Sequence, residues 1–207
     1  ILELQENAVL AGIYDRARTP ILPGQIEYDN EDGYYNLGSW EGNPIDSFAS
    51  MITGIHVKNV TICGKGVLDG RADFENWWSR PKDKIRAWRP RMIFLNHCEN
   101  ITVVGVTVQN SPAWNLHPYF SNQIRFLDME VKGPANSHNT DGCDPESCTN
   151  VEIAGVHFSV GDDCIAIKSG KIYMGKKFKV PSKHIHIRQS WMQDGHGAVT
   201  VGSEIAA

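Results

Sequence analysis

The chain has 207 residues, 41% hydrophobic and 21% charged, with a formal net charge of −4. This is the composition of an ordinary globular protein with no general attraction to polyanions, so no nucleic-acid partner is expected. No run of about 18 apolar residues occurs, so neither a membrane-crossing helix nor a membrane partner is expected.

Ile1-Leu2-Glu3-Leu4 already alternates like a strand, and neither end carries a start or stop signal. The chain is therefore expected to lie within a longer protein. Residues 11–48 follow, rich in Gly, Pro, Asp and Trp, and read as a loop; residues 70–90 read the same way.

From residue 60 a repeat sets in. Val60-Thr61-Ile62, Ile101-Thr102-Val103, Ile124-Arg125-Phe126, Val151-Glu152-Ile153 and Ile185-His186-Ile187 each run apolar, polar, apolar, which is strand alternation. Asn59, Asn100, Asn122 and Asn150 stand just before four of them, a residue type suited to a tight left-handed turn. A second strand starts five positions on, at Val106, Met129 and Val156, and a third starts 14 positions on, at Ile165 and Val199. The triplets, starting at 60, 101, 124, 151 and 185, lie 41, 23, 27 and 34 residues apart, so the shortest gap is a bare coil and the others carry insertions. No amphipathic helix of ordinary length separates the strands. The spacing predicts an all-β chain: one parallel β-helix domain over 1–207, with insertions at 11–48, 70–90 and 170–182.

Five cysteines (Cys63, Cys98, Cys143, Cys148, Cys164) form no CxxC pair and no zinc pattern. They read as packed thiols. No metal and no cofactor is expected.

The repeat is also a ruler. Asp162 lies 11 positions after Val151, and His196 lies 11 after Ile185, so both occupy one column on adjacent coils. Aligning Cys143 with Cys164 adds Asp141 to that column, with Asp163 beside it. Glycines flank His196 and leave room for a close approach. A lone aspartate in such a turn would cap backbone N–H groups. Three stacked carboxyls repel one another and raise the pKa of at least one, an arrangement suited to acid–base chemistry. Paired carboxyls are the tools of glycoside hydrolysis, about 5–5.5 Å apart for retention and about 6.5–9.5 Å for inversion. Side-chain splay decides between them, and the sequence leaves that open.

"NTDG" (139–142), "GDD" (161–163), "GHG" (195–197) and "GSE" (202–204), with "NSPAWNLHP" (110–118), "RPRMI" (89–93) and "GKGVLDG" (64–70), resemble glycoside hydrolase family 28, the polygalacturonases, in its bacterial form. The resemblance implies a right-handed β-helix and inverting hydrolysis of α-1,4-galacturonosyl bonds in pectin or polygalacturonate, the expected partner, without a metal. It makes Asp162 the general acid. Asp141 and Asp163 would hold and deprotonate the attacking water, and His196 would support the acid. Asn139, Lys168 and His117 are expected near the sugar. Trp77, Trp78 and Trp88 are read as sugar platforms or loop anchors. The family's Arg-Ile-Lys motif, whose cations bind the substrate carboxylate, is expected beyond Ala207. The cysteine that secreted fungal members carry four residues before the histidine is Met192 here, so Cys164 is expected to stay a thiol. A secreted or periplasmic location and attack at chain ends fit the bacterial likeness. The rival readings are a pectate-lyase-like β-helix with Ca²⁺ on the aspartates, which the histidine disfavours, and a non-catalytic polysaccharide-binding β-helix.

Overall fold

The computed structural model describes residues 1–207. Two six-stranded parallel sheets carry the first and second strands of successive coils. The first sheet stacks Leu2–Leu4, Lys58–Gly64, Glu99–Val104, Asn122–Leu127, Thr149–Ala154 and Lys183–Arg188. The triplets read from the sequence pair in register along it: Val60 with Ile101, Ile101 with Ile124, Ile124 with Val151, and Val151 with Ile185. The third column stacks Ile52–Ile55, Ile93–Asn96 and Leu116–Tyr119, then passes through bridges at Cys143 and Glu146 to Ala166–Ile167 and Thr200–Val201.

Alternation decides which side chains face in. Along the first sheet Ile62, Val103, Phe126 and Ile153 stack and are almost wholly buried, and Leu68, Val108, Val131 and Phe158 do the same in the second. They join one continuous core of 25 buried residues. Each fully buried side chain of this size contributes about 1.5–3 kcal/mol, and only its neighbours on adjacent rungs let it do so.

The turns obey the asparagine expectation with one shift. Asn59, Asn100 and Asn150 are left-handed, but in the coil between the last two that conformation falls to Gln123, with Asn122 one place earlier. One turn on the other side is held by a column of small polar groups. The N–H of Cys98 donates to Ser121 Oγ, that of Ser121 to Cys148 Sγ, and that of Cys148 to Ser182 Oγ. All five cysteines are free thiols, and burial pushes Cys148 up to about 12 and Cys164 up to about 11.

The insertions are more ordered than loops. Residues 11–48 contain three short antiparallel pairs: Ile21–Leu22 with Ser47–Phe48, Gln25–Glu27 with Tyr34–Asn36, and Ser39–Trp40 with Asn43–Pro44. Residues 170–182 contain a helix, α1 (Ile172–Phe178), closed by left-handed Lys179. Its seven residues are too few for a hydrophobic period to show, and it packs through Met174, with Phe178 at its end, onto Phe94 and Tyr119. Trp77 and Trp78 of the 70–90 insertion are buried, Trp77 edge-on to Phe48, so they anchor that loop.

Candidate active site

Asp162 and Asp163 sit at the bend between the second strand His157–Ser159 and the third strand Ala166–Ile167. Main-chain bonds lock this bend to the coils on either side. The N–H of Gly142 donates to Asp163 O (2.9 Å), that of His196 to Asp162 O (3.0 Å) and that of Cys164 to Gly197 O (2.8 Å). The third-strand register pairs Cys143 with Ile165, not with Cys164 as the motif alignment assumed. Asp141 is therefore level with Asp163, one place off the expected column. A shared cysteine is no guide to register where the chain bends just before the strand. The glycine beside His196 does leave room for a close approach, and what enters is the protein itself: a Cβ on Gly197 would lie 2.8 Å from Asp163 Oδ1.

The side chains converge nonetheless. Oxygens of Asp141, Asp162 and Asp163 all lie within 4.8 Å of one another. His196 Nδ1 approaches Asp162 Oδ1 at 3.3 Å, and its side chain is 70% exposed. Asp141 is buried, and burial first, then the charge of Asp162, pushes its carboxyl up to about 7. The three form one wall of a cleft of about 430 Å³ that Asn139, Trp40, Trp114, Lys168 and Glu204 also line. Three carboxylates are a meagre donor set for Ca²⁺, which takes about 6–8 oxygens, and Lys168 and Arg89 act on Asp141 as positive neighbours. We assign no metal ligand here.

Beneath the cleft lies a buried charged layer that the sequence reading missed. Lys168 reaches Glu204 (2.9 Å), Asp144 (3.5 Å) and Gly202 O (3.0 Å), with Trp114's ring 4.8 Å from its Nζ. Its ammonium is thus already engaged by the protein. The Arg91 guanidinium rests against the stacked rings of Trp40 (5.1 Å) and Trp114 (4.8 Å) and donates to Ser39 O. Burial lowers its pKa to about 10, which leaves it positive at neutral pH. Arg89 donates to Asn139 Oδ1 (2.7 Å) and to the His138 and Pro112 carbonyls, fixing the bend that carries Asn139 into the cleft.

His117 does not reach the cleft. It is fully buried, and burial, then Arg91 and Lys168, hold its pKa well below the ordinary value. The ring's Nε2 is hydrogen-bonded with Glu146 Oε2 at 3.0 Å. Strand alternation explains the miss, because a second layer of structure covers the outward face of this segment. The sequence signal was present in "NTDGCDPESC", where Asp144 and Glu146 alternate with core-facing Cys143.

That cover closes one side of the cleft. Ile93–Asn96 and Leu116–Tyr119 are buried on both faces. Phe94 and Tyr119 pack outward against Met174, with Leu22 and Phe178 around them, and Asn96 Nδ2 donates to Leu37 O (2.6 Å). The two insertions then grip each other. Met174 N–H donates to Gly42 O (3.2 Å), Lys171 pairs with Glu41 (3.5 Å), and Lys177 pairs with Asp32 (3.2 Å) over the ring of Tyr34.

The family model for glycosyl hydrolases family 28 matches residues 32–206. The chain belongs to this family. The match takes in every carboxylate of the family-28 cleft, the 170–182 insertion and the N-terminal insertion from residue 32 on. A probable polygalacturonase of Vitis vinifera is 32% identical over 208 residues, covering 99% of this chain and 40% of that protein. An endo-polygalacturonase of Pectobacterium carotovorum is 32% identical over 189 residues, covering 86% of this chain and 44% of that protein. The chain thus spans 40–44% of the length of these curated family-28 relatives. The crystal structure of a hyperthermoactive exopolygalacturonase from Thermotoga maritima superposes with TM-score 0.80 at 28% identity, covering 98% of this chain and 51% of that one. The family-28 fold is the parallel β-helix read from the repeat, with the right hand that the resemblance implied.

Proposed function

We propose that the protein containing this chain hydrolyses α-1,4-galacturonosyl bonds of polygalacturonate or pectin with inversion. The observation that carries this reading is the convergence of Asp141, Asp162 and Asp163 on one cleft of a family-28 chain, with His196 against Asp162. Asp162, central and partnered by His196, protonates the leaving oxygen. Asp141 and Asp163, level on adjacent coils, accept hydrogen bonds from one water and take its proton as it attacks. The closest carboxyl oxygens are within 4.8 Å, tighter than the about 6.5–9.5 Å of a two-carboxyl inverting site. Three carboxyls reconcile this, because two of them share the water and neither needs to bond to the sugar. Trp40 and Trp114, stacked on each other and nearly buried, stiffen the cleft wall, and Asn139 offers the sugar an amide. Lys168 acts from beneath, through the carboxylates it holds, and His117 holds the floor through Glu146. The closed side of the cleft supports attack at chain ends. A polymeric substrate that cannot cross a membrane supports a secreted or periplasmic site of action.

The test is incubation of the intact protein with polygalacturonate, following products and anomers by NMR. Saturated galacturonate appearing first as the inverted anomer is expected. Retention would make one carboxylate a nucleophile, and no cleavage would overturn the reading. The acidic trio also gives a Ca²⁺-dependent lyase one specific support. Loss of activity on chelation, with unsaturated products, would favour it; activity unchanged by chelator is expected.

A further inference from the structure

The hydrolytic reading leaves Asp144 without a task, yet its surroundings are unusual. Its side chain is wholly buried, three residues beyond Asp141, and neither oxygen receives a hydrogen bond. Asp141 Oδ1, adjoining it, is likewise buried and without a donor. Lys168, the cation in salt-bridge reach of Asp144, stands 3.5 Å away and is closer to Glu204 at 2.9 Å. One ammonium thus faces three buried carboxyls. Two carboxylates in contact in a dry site cannot both be ionised, and the cheapest relief is a proton between them. We infer that Asp144 is a neutral acid whose O–H donates to Asp141 Oδ1, which makes it the positioning residue for that carboxylate.

The inference rests on the hydrolytic reading for its consequence, not for its chemistry. A proton on Asp144 joins two of the three orphaned oxygens in one bond and leaves its carbonyl oxygen uncharged, with Lys168 3.5 Å from Asp144. It fixes Asp141's inner oxygen and turns the outer one to the cleft. The groups that face the pair are Lys168, Glu204, Arg89, Arg91, Asp162, Asp163 and the Cys143 thiol. Burial is the chief force raising Asp144 well above the carboxylate range, and Asp141 opposes its ionisation next.

The pair Asp144→Asn and Asp144→Ala separates this from a charge role. Asparagine keeps a donor of the same shape, so kcat on polygalacturonate and the acidic limb of its pH profile should stay within about threefold of the unsubstituted enzyme. Alanine removes the donor. Asp141 then ionises less readily, the acidic limb moves to higher pH, and kcat falls roughly 10- to 100-fold with KM little changed. Equal losses in both variants would mean that an ionised Asp144 matters and would overturn the inference, as would no loss in either. Carboxyl ¹³C NMR of aspartate-labelled protein needs no catalysis. One aspartate signal should stay protonated from about pH 5 to pH 8, where ordinary carboxyls are ionised, and vanish in Asp144→Asn. Ionisation of every aspartate by about pH 8, above the about 7 of Asp141, would overturn the inference even if the protein cleaved no pectin.

Discussion

His196 Nδ1 meets Asp162 Oδ1 at 3.3 Å across one step of the coil stack, and the histidine side chain is 70% exposed while the aspartate's is 24% exposed. The pair joins an open, cheaply removed group to a half-enclosed one. His196→Ala should therefore lower kcat by roughly 10- to 1,000-fold with little change in melting temperature, and Asp162→Asn should cost about 1,000-fold or more. Steady-state kinetics on polygalacturonate with thermal melts checks both.

Burial is the first cause that raises Asp141 and Glu146 to about 7. Their unfolded pKa values are near 4. Between those limits the folded chain binds more protons than the unfolded one, so the contribution of these groups is full below about pH 4 and lost as pH rises through about 7. Denaturant melts from about pH 5 to pH 8 should show stability falling across the window, with a smaller slope in Glu146→Gln.

Gly42 sits at φ 71, and a Cβ there would lie 2.3 Å from Lys171 O. Gly42→Val should loosen the clasp between the N-terminal insertion and α1. If that clasp limits attack to chain ends, products from polygalacturonate should shift from one released species toward mixed oligomers, read by anion-exchange chromatography. An unchanged product pattern with the clasp open would sink the chain-end reading.

Phe126 is fully buried between Val103 and Ile153 on adjacent rungs. Phe126→Ala should destabilise the protein by about 3–5 kcal/mol, measured by equilibrium unfolding.

The sequence disclosed the rungs because their signal is local and repeated. Val60, Ile101, Ile124, Val151 and Ile185 face one core, and a period-two pattern records that directly. The aspartates were legible as a cluster for the same reason, since the ruler that sets Asp162 beside His196 is the strand offset itself. What failed had no local signature. The Cys143 register depends on how the chain bends before a strand. Helix α1, with Gly175 inside it, is held by Gly42 and Met174 contacts and not by a period of its own. His117, Arg91 and Glu146 look like surface residues until an insertion, 52 residues upstream of Arg91 and 107 upstream of Glu146 at Ser39, is laid over them. Ser39 and Leu37 turn that outward face into an interior.

The five unpaired thiols have a consequence for where the chain can fold. Four are buried, and Cys98 and Cys148 sit in a turn column where serine serves equally well at Ser121 and Ser182. No oxidant, isomerase or pairing order is needed to reach the native state. The free thiols of these 207 residues place no redox demand on the folding of this stretch of β-helix.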